Sequence, residues 1–305
     1  MTGIRAGSTP ATLDTLRDHI AAAFPDLADA RLVAMTAGWD SLAVNADDRF
    51  IFKFPRNSLA AAALVREVGL LAVLAPQLTM RVPAPVLVEG EMLFSRHDII
   101  PGEHLLAEGY QALPDHGRQR LADAMAQFFA QLHEQDVAVM EKAGARPIRK
   151  WLDAEDILRR THAMLPPDLR AFAQACLAAW SDLEPDPHGM TYGFFDGHGW
   201  NMAFDHDAQR LNGIYDFADS GFGDLTQEFI YPNWISADLT GRIIAAYETL
   251  TGRLIDRQRV DVLSGVLRLT ELAEEGHDPA LRTALLDNLA AWVSHRAVGG
   301  FFGRA

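Results

Sequence analysis

Residues 192–224 read YGFFDGHGWNMAFDHDAQRLNGIYDFADSGFGD, and this stretch decides the fold. It places a carboxylate at Asp196, an amide at Asn201 and a second carboxylate at Asp216. Short apolar runs and turn residues separate them, not a helical pattern. All three side chains carry hard oxygen atoms of the kind that suit a divalent cation, and a carboxylate can also accept the proton of a hydroxyl. Asp and Asn favour turns as well, so the flanking chain has to decide between chemistry and a plain turn.

Upstream, the apolar period alternates between helix and strand. Residues 9–24 predict a helix behind Thr9-Pro10, with Leu13, Leu16, Ile20 and Phe24 on one side. Leu32, Val33 and Met35 predict a strand, as do Leu42 with Val44 and, past the Asp47-Asp48 turn, Phe50 with Phe52 and Phe54. Residues 58–75 return to helix, capped by Asn57 or Ser58. Two more short strands are expected at 83–88 and 92–95. Beyond Pro101-Gly102 long helices follow, near 115–135, 149–162, 168–183, 238–251, 256–275 and 279–296. The pattern predicts an α+β chain with a small mixed lobe over 1–100 and a mostly helical lobe over 101–305. No internal repeat stands out.

Lys53 ends the alternating strand Phe50-Ile51-Phe52-Lys53, and Glu67 on the following helix is its natural ion-pair partner. The loop around Gly38 and Ser41 could cover a phosphate, although it lacks a G-x-G-x-x-G. Each feature alone is commonplace, since most strand lysines are merely solvated. Their order carries the weight: lysine on a strand, glutamate on the next helix, a hinge, then the Asp/Asn loop and a second Asp. That order, with D-x-x-x-x-N followed by D-F-A, is similar to the protein-kinase arrangement of strand lysine, catalytic loop and D-F-G.

Composition narrows the classes. With 305 residues, 49% of them hydrophobic, the chain can build one large domain or two lobes. No apolar run reaches the ~18 residues of a membrane span. The N-terminus has no basic stretch followed by an apolar core, so a secretory signal is not expected. The net charge of −14 repels nucleic acid and anionic membrane and attracts cations. Acidic surface also simply aids solubility, and composition does not separate that from an acidic pocket for a cationic substrate. Cys176, the only cysteine, sits in an apolar helical pattern and reads as a small buried hydrophobe. A disulfide within one chain is impossible, no zinc spacing is present, and a reducing cytoplasm fits.

The chain further resembles the aminoglycoside phosphotransferase family, small-molecule kinases of the bilobal protein-kinase-like fold. Phe194-Phe195-Asp196-Gly197-His198-Gly199-Trp200-Asn201 is similar to the family's H-G-D-x-H-x-x-N at Asp196, His198 and Asn201. Ile214 to Asp224 resembles its I-D-F-G-D-x-x-x-G-D, and Phe128 to His133 its helix ending in Leu-His. The segments 38–41 and 52–55 are similar to the nucleotide loop and strand lysine of the 2''-phosphotransferase group. The resemblance spans about residues 30–250. It implies Asp196 as catalytic base, Asn201 and Asp216 as Mg²⁺ ligands, and Lys53 with Glu67 at the phosphates. It further implies ATP or GTP as donor, with hinge backbone near 95–100 at the purine. His198 and Asp219 are candidates for substrate contact. The implied acceptor is a small, cationic molecule such as an aminoglycoside.

Three departures stand out: Phe194 and Phe195 replace His and Gly, and Ala218 replaces the glycine of D-F-G. No room follows Asp224 for a long activation loop. Two rivals remain at this level. One is a metabolic kinase of an amino-alcohol, amino acid, sugar or macrolide. The other is a non-catalytic nucleotide-binding regulator, motivated by Phe194-Phe195. Oligomeric state does not show in the sequence.

Overall fold

The computed structural model describes residues 12–35 and 41–299, so the expected loop residue Gly38 and the Thr9-Pro10 helix start lie outside the described residues. Strands β1 (Leu32–Met35), β2 (Ser41–Ala46), β3 (Phe50–Pro55), β4 (Val86–Val88) and β5 (Phe94–Asp98) form one antiparallel sheet in the order β1-β2-β3-β5-β4. Alternation along β3 determines how this sheet is used. Phe50, Phe52 and Phe54 point to one face and are buried there with Phe94. Helix α1 (Leu13–Ala23) covers that face with Leu16 and Ile20. Lys53 is thereby left on the opposite face, opposite Ala43 on β2 and Ser95 on β5. Helix α2 (Ser58–Leu74), capped by the Asn57 side chain on Ala60 N–H, brings Glu67 to that second face.

The remainder is mostly helical, which gives the molecule an α+β, kinase-like architecture. Helices α3 (Ala107–Ala112), α4 (Asp115–His133), α5 (Val137–Ala143), α6 (Ala154–Thr161) and α7 (Pro167–Ser181) precede the quoted stretch. Within that stretch, β6 (Met190–Gly193) pairs with β9 (Gly221–Asp224), and β7 (Met202–Asp205) pairs with β8 (Arg210–Ile214). A 3-10 segment, Leu225–Trp234, leads into α8 (Ala237–Thr251), α9 (Arg257–Glu275) and α10 (Pro279–Gly299). Helix α4 runs through the main core with Leu121, Met125, Phe128, Phe129 and Leu132 buried. A second core joins α6, α7, α9 and α10, and Cys176 is fully buried in it.

Several boundaries differ from the expected ones for local reasons. α1 starts at Leu13 because Thr12 accepts a hydrogen bond from Thr15 N–H. β4 begins only at Val86, since Pro83 and Pro85 have no N–H to give a ladder. β5 runs on to Asp98 because its register with β3 pairs Phe50 with Asp98. α6 starts at Ala154, where Asp153 caps Asp156 N–H, instead of at 149. The short helices α3 and α5 carry too few turns for a clear apolar period. Among the described residues no helix is long and apolar enough to cross a membrane.

Candidate active site

Register assembles the site. The β7–β8 hairpin pairs Met202 with Ile214, and Tyr215 N–H donates to the Asn201 carbonyl at 3.0 Å. Asn201 and Asp216 therefore flank the same end of one hairpin, although fifteen residues separate them in sequence. Asn201 Nδ2 donates to Asp196 Oδ2 at 2.6 Å and to the Asp196 carbonyl at 3.1 Å. The second Asp196 oxygen, Oδ1, faces His198 Nε2 at 3.1 Å. Burial alone would lower the His198 pKa, but the hydrogen bond and charge of Asp196 outweigh it and hold the pKa above its ordinary value. Asp196 is thus fixed in orientation by an amide and an imidazole from its own loop.

The lysine side of the cleft closes onto the same hairpin. Lys53 Nζ lies 2.9 and 3.2 Å from the two Glu67 oxygens and 3.1 Å from Asp216 Oδ1. Burial pulls the ammonium pKa down, yet the two carboxylates outweigh it and hold it above the ordinary lysine value. Glu67, 5% exposed, also accepts from Phe217 N–H at 3.1 Å, and Arg66 donates to the Ala218 carbonyl at 3.1 Å. α2 therefore holds both the lysine and the backbone that carries Asp216. Asp216 itself is half exposed, with one oxygen toward Lys53.

The three departures have structural readings. Phe195 adopts φ +53°, in the left-handed region that favours glycine, at the position where the related pattern has one. Its ring is buried against Gly193 and Gly223, where any Cβ would come within 2.8 Å of it. Phe194 is fully buried, with its ring centroid 4.8 Å from Phe217 and 5.8 Å from Phe128. It fills a core position. The residue with positive φ in the second motif is Asp216, at +70°, and Ala218 is not among the positive-φ residues, so alanine fits there without strain.

Sequence reasoning missed Glu228. This fully buried carboxylate accepts from Phe194 N–H at 2.8 Å and Phe195 N–H at 2.9 Å, so it clamps the loop from beneath. His133 Nε2 lies 3.5 Å from it, and His133 Nδ1 meets the Tyr247 hydroxyl at 2.8 Å. A carboxylate directly before the apolar residues Phe229, Ile230 and Tyr231 was the available signal. Glu271 on α9 was missed as well. Burial, partly countered by Arg268 and His198, pushes its carboxyl up to about 7. It lies within electrostatic reach of Asp196 and His198. Asp219 is exposed in the turn after Asp216; the partly buried Tyr231 has its hydroxyl pKa raised, first by burial and then by the charges of Asp196, Glu228 and Asp219. Ser41 lies on the Lys53 face of the sheet, two residues before Ala43.

Donor chemistry tests the fit for Mg²⁺. Asn201 spends its N–H group on Asp196, which leaves the amide oxygen as an acceptor, and Asp216 carries a half-exposed carboxylate at the same end of the hairpin. A hard cation takes such oxygen donors, with phosphate and water completing the shell. No cluster of three or more His, Cys, Asp or Glu among the described residues forms a metal cage.

Comparison with known proteins gives the family and the fold. Residues 31–263 match the model of APH, the phosphotransferase enzyme family. No curated protein matches the chain significantly. A GDP complex of a point mutant of aminoglycoside 2'-phosphotransferase-IIIa superposes with a TM-score of 0.80 at 19% identity, covering 92% of this chain and 97% of that one. The GDP and kanamycin complex of the APH(2'') type IIIa enzyme gives 0.74 at 19% identity, covering 92% and 98%. A macrolide 2'-phosphotransferase from Brachybacterium faecium gives 0.66 at 18% identity, covering 90% and 98%.

Proposed function

The chain belongs to the APH phosphotransferase enzyme family, and from that membership we propose that it moves the γ-phosphate of ATP or GTP onto a hydroxyl of a small cationic acceptor such as an aminoglycoside. The observation that carries the reading is the convergence of Lys53, Glu67 and Asp216 on the hairpin end that also presents Asn201 and Asp196. In this reading residues 1–100 hold the nucleotide and 101–305 hold the acceptor. Lys53, aimed by Glu67, binds the phosphates, and the loop at Gly38 and Ser41 covers them. Asn201 and Asp216 would hold Mg²⁺, which when bound would supply positive charge near the transferring phosphoryl group.

Asp196 Oδ1 takes the acceptor's hydroxyl proton as the alkoxide oxygen bonds to the γ-phosphorus. The bond from that phosphorus to the β–γ bridging oxygen breaks, and the nucleoside diphosphate leaves. His198 and Asn201 keep the carboxylate turned for this step, so most of the catalytic gain comes from positioning. A cationic acceptor is supported by Glu271 on α9, within electrostatic reach of Asp196, by the exposed Asp219, and by the net charge of −14. The family's macrolide-modifying relatives support a second reading, a neutral-to-basic glycoside as acceptor.

The test is acceptor-dependent release of ADP or GDP in the presence of Mg²⁺, across aminoglycosides, macrolides and small amino-alcohols. Release that depends on one acceptor class supports the reading. Nucleotide binding without release for every acceptor would move the chain to a non-catalytic role.

A further inference from the structure

Trp200 is the one large aromatic side chain left mostly exposed among the described residues, at 55%; the other exposed large hydrophobics are aliphatic. It belongs to the catalytic loop, directly before Asn201, in the 3-10 turn Gly199–Asn201. An exposed tryptophan on a floppy loop would mean little, but this one stands on a rigid base. Gly199 lies flush against the segment that follows the sheet: Leu105 N–H donates to the Gly199 carbonyl at 3.1 Å, and a Cβ on Gly199 would sit 1.8 Å from the Leu105 carbonyl oxygen. The Tyr215 hydroxyl donates to the Trp200 carbonyl at 3.0 Å and meets His104 Nδ1 at the same distance. The indole then rests edge-on against His104, with ring centroids 4.9 Å apart and planes at 60°.

The base therefore ties the post-sheet segment, the catalytic loop and the residue before Asp216 into one unit. Its outer surface is an indole whose one aromatic partner among the described residues is His104. Leaving that much apolar surface in water is unfavourable by itself. Large, rigid and amphipathic, an indole loses little entropy on binding, which is why Trp anchors ligands. A sugar ring presents a face of C–H bonds to such a surface while its hydroxyls stay hydrogen-bonded at the rim. Trp200 also directly precedes Asn201 in the loop that carries Asp196.

We propose that Trp200, braced by His104 and Tyr215, is an acceptor-binding residue whose indole stacks on the apolar face of a sugar ring of the acceptor. This rests on the phosphotransferase reading and narrows it, from small cationic molecules in general to ring-bearing glycosides.

The test uses the full chain with 5-fluorotryptophan incorporated, the Trp200 signal being identified by its loss in Trp200→Phe. Kanamycin, erythromycin, ATP and GTP are each titrated while the fluorine spectrum is read. The expected result is a saturable shift of the Trp200 signal with a glycoside and none with nucleotide alone. In the coupled assay, Trp200→Ala is expected to raise the KM for that glycoside about tenfold and leave the nucleotide KM in place, with Trp200→Phe recovering most of the loss. A shift with nucleotide alone would assign the indole to the ribose and overturn the proposal. A shift that follows protein concentration instead would assign it to a second copy of the chain and overturn the proposal too. No shift with either glycoside also overturns it. Failure of the phosphotransferase reading looks different: the glycoside shift is present, yet wild-type protein releases no nucleoside diphosphate.

Discussion

The Asp196 carboxylate and the Phe195 ring carry the most specific expectations. Asp196→Ala is expected to lower acceptor-dependent turnover by about 10³-fold while the dissociation constant for nucleotide stays near that of wild type, since under the proposed function Asp196 acts on the acceptor and not on the donor. A variant that loses nucleotide binding and keeps turnover would reverse the assigned roles. Phe195 sets two effects against each other. Its left-handed backbone costs about 1–2 kcal/mol for a residue with a Cβ. Its ring, 3% exposed, is worth more, because removing a buried phenylalanine costs about 3–5 kcal/mol. Phe195→Gly should therefore destabilise the protein by roughly 2 kcal/mol in urea unfolding, despite restoring the residue of the related motif. The identity of Phe195 is legible in the sequence. Its compensation by Gly193 and Gly223 is not, because the glycines on β6 and β9 become its neighbours only when those strands pair.

Elements set the next scale. The loop that carries Asp196 has no regular ladder over residues 194–198, so its backbone needs acceptors from elsewhere. Glu228, on the 3-10 segment, supplies both of its oxygens to that need. Glu228→Ala leaves two buried N–H groups unpaired, at about 1–3 kcal/mol each. We expect a loss of about 3 kcal/mol in unfolding free energy and a clear fall in kcat, with Glu228→Gln in between because it keeps one acceptor oxygen. Equal stability of the alanine variant and wild type would show that the clamp contributes nothing. The long helices α4, α8 and α9 were readable from their apolar period, as was the alternating β3. α3 and α5 were not, being too short for a period to repeat.

At the scale of the whole molecule, charge and pH matter. Burial raises the Glu271 carboxyl to about 7 from an ordinary 4.5, so the folded protein binds that proton more tightly than the unfolded chain does. Its contribution to stability is therefore present below about pH 4.5 and is lost as pH rises through about 7. Replacing Glu271 with Gln should flatten the stability profile over that window, as read by thermal unfolding at several pH values. An unchanged slope would place the carboxylate in a wetter site. The net charge of −14 further predicts that the KM for a cationic acceptor rises with salt while that for a neutral glycoside does not.

The sequence by itself determined the class of fold, the order of its longer elements and the residue types of the candidate chemistry, because hydrophobic period and motif spacing are local properties of the chain. Tertiary structure alone decided what those residues are held by. Glu67 reaches Phe217 N–H as well as Lys53, Glu228 lies under Phe194 and Phe195, and Glu271 shares the field of His198. Each of these links joins segments distant in sequence, and a hydrogen bond or a Coulomb interaction depends on separation in space, which is set only once the helices and strands have packed.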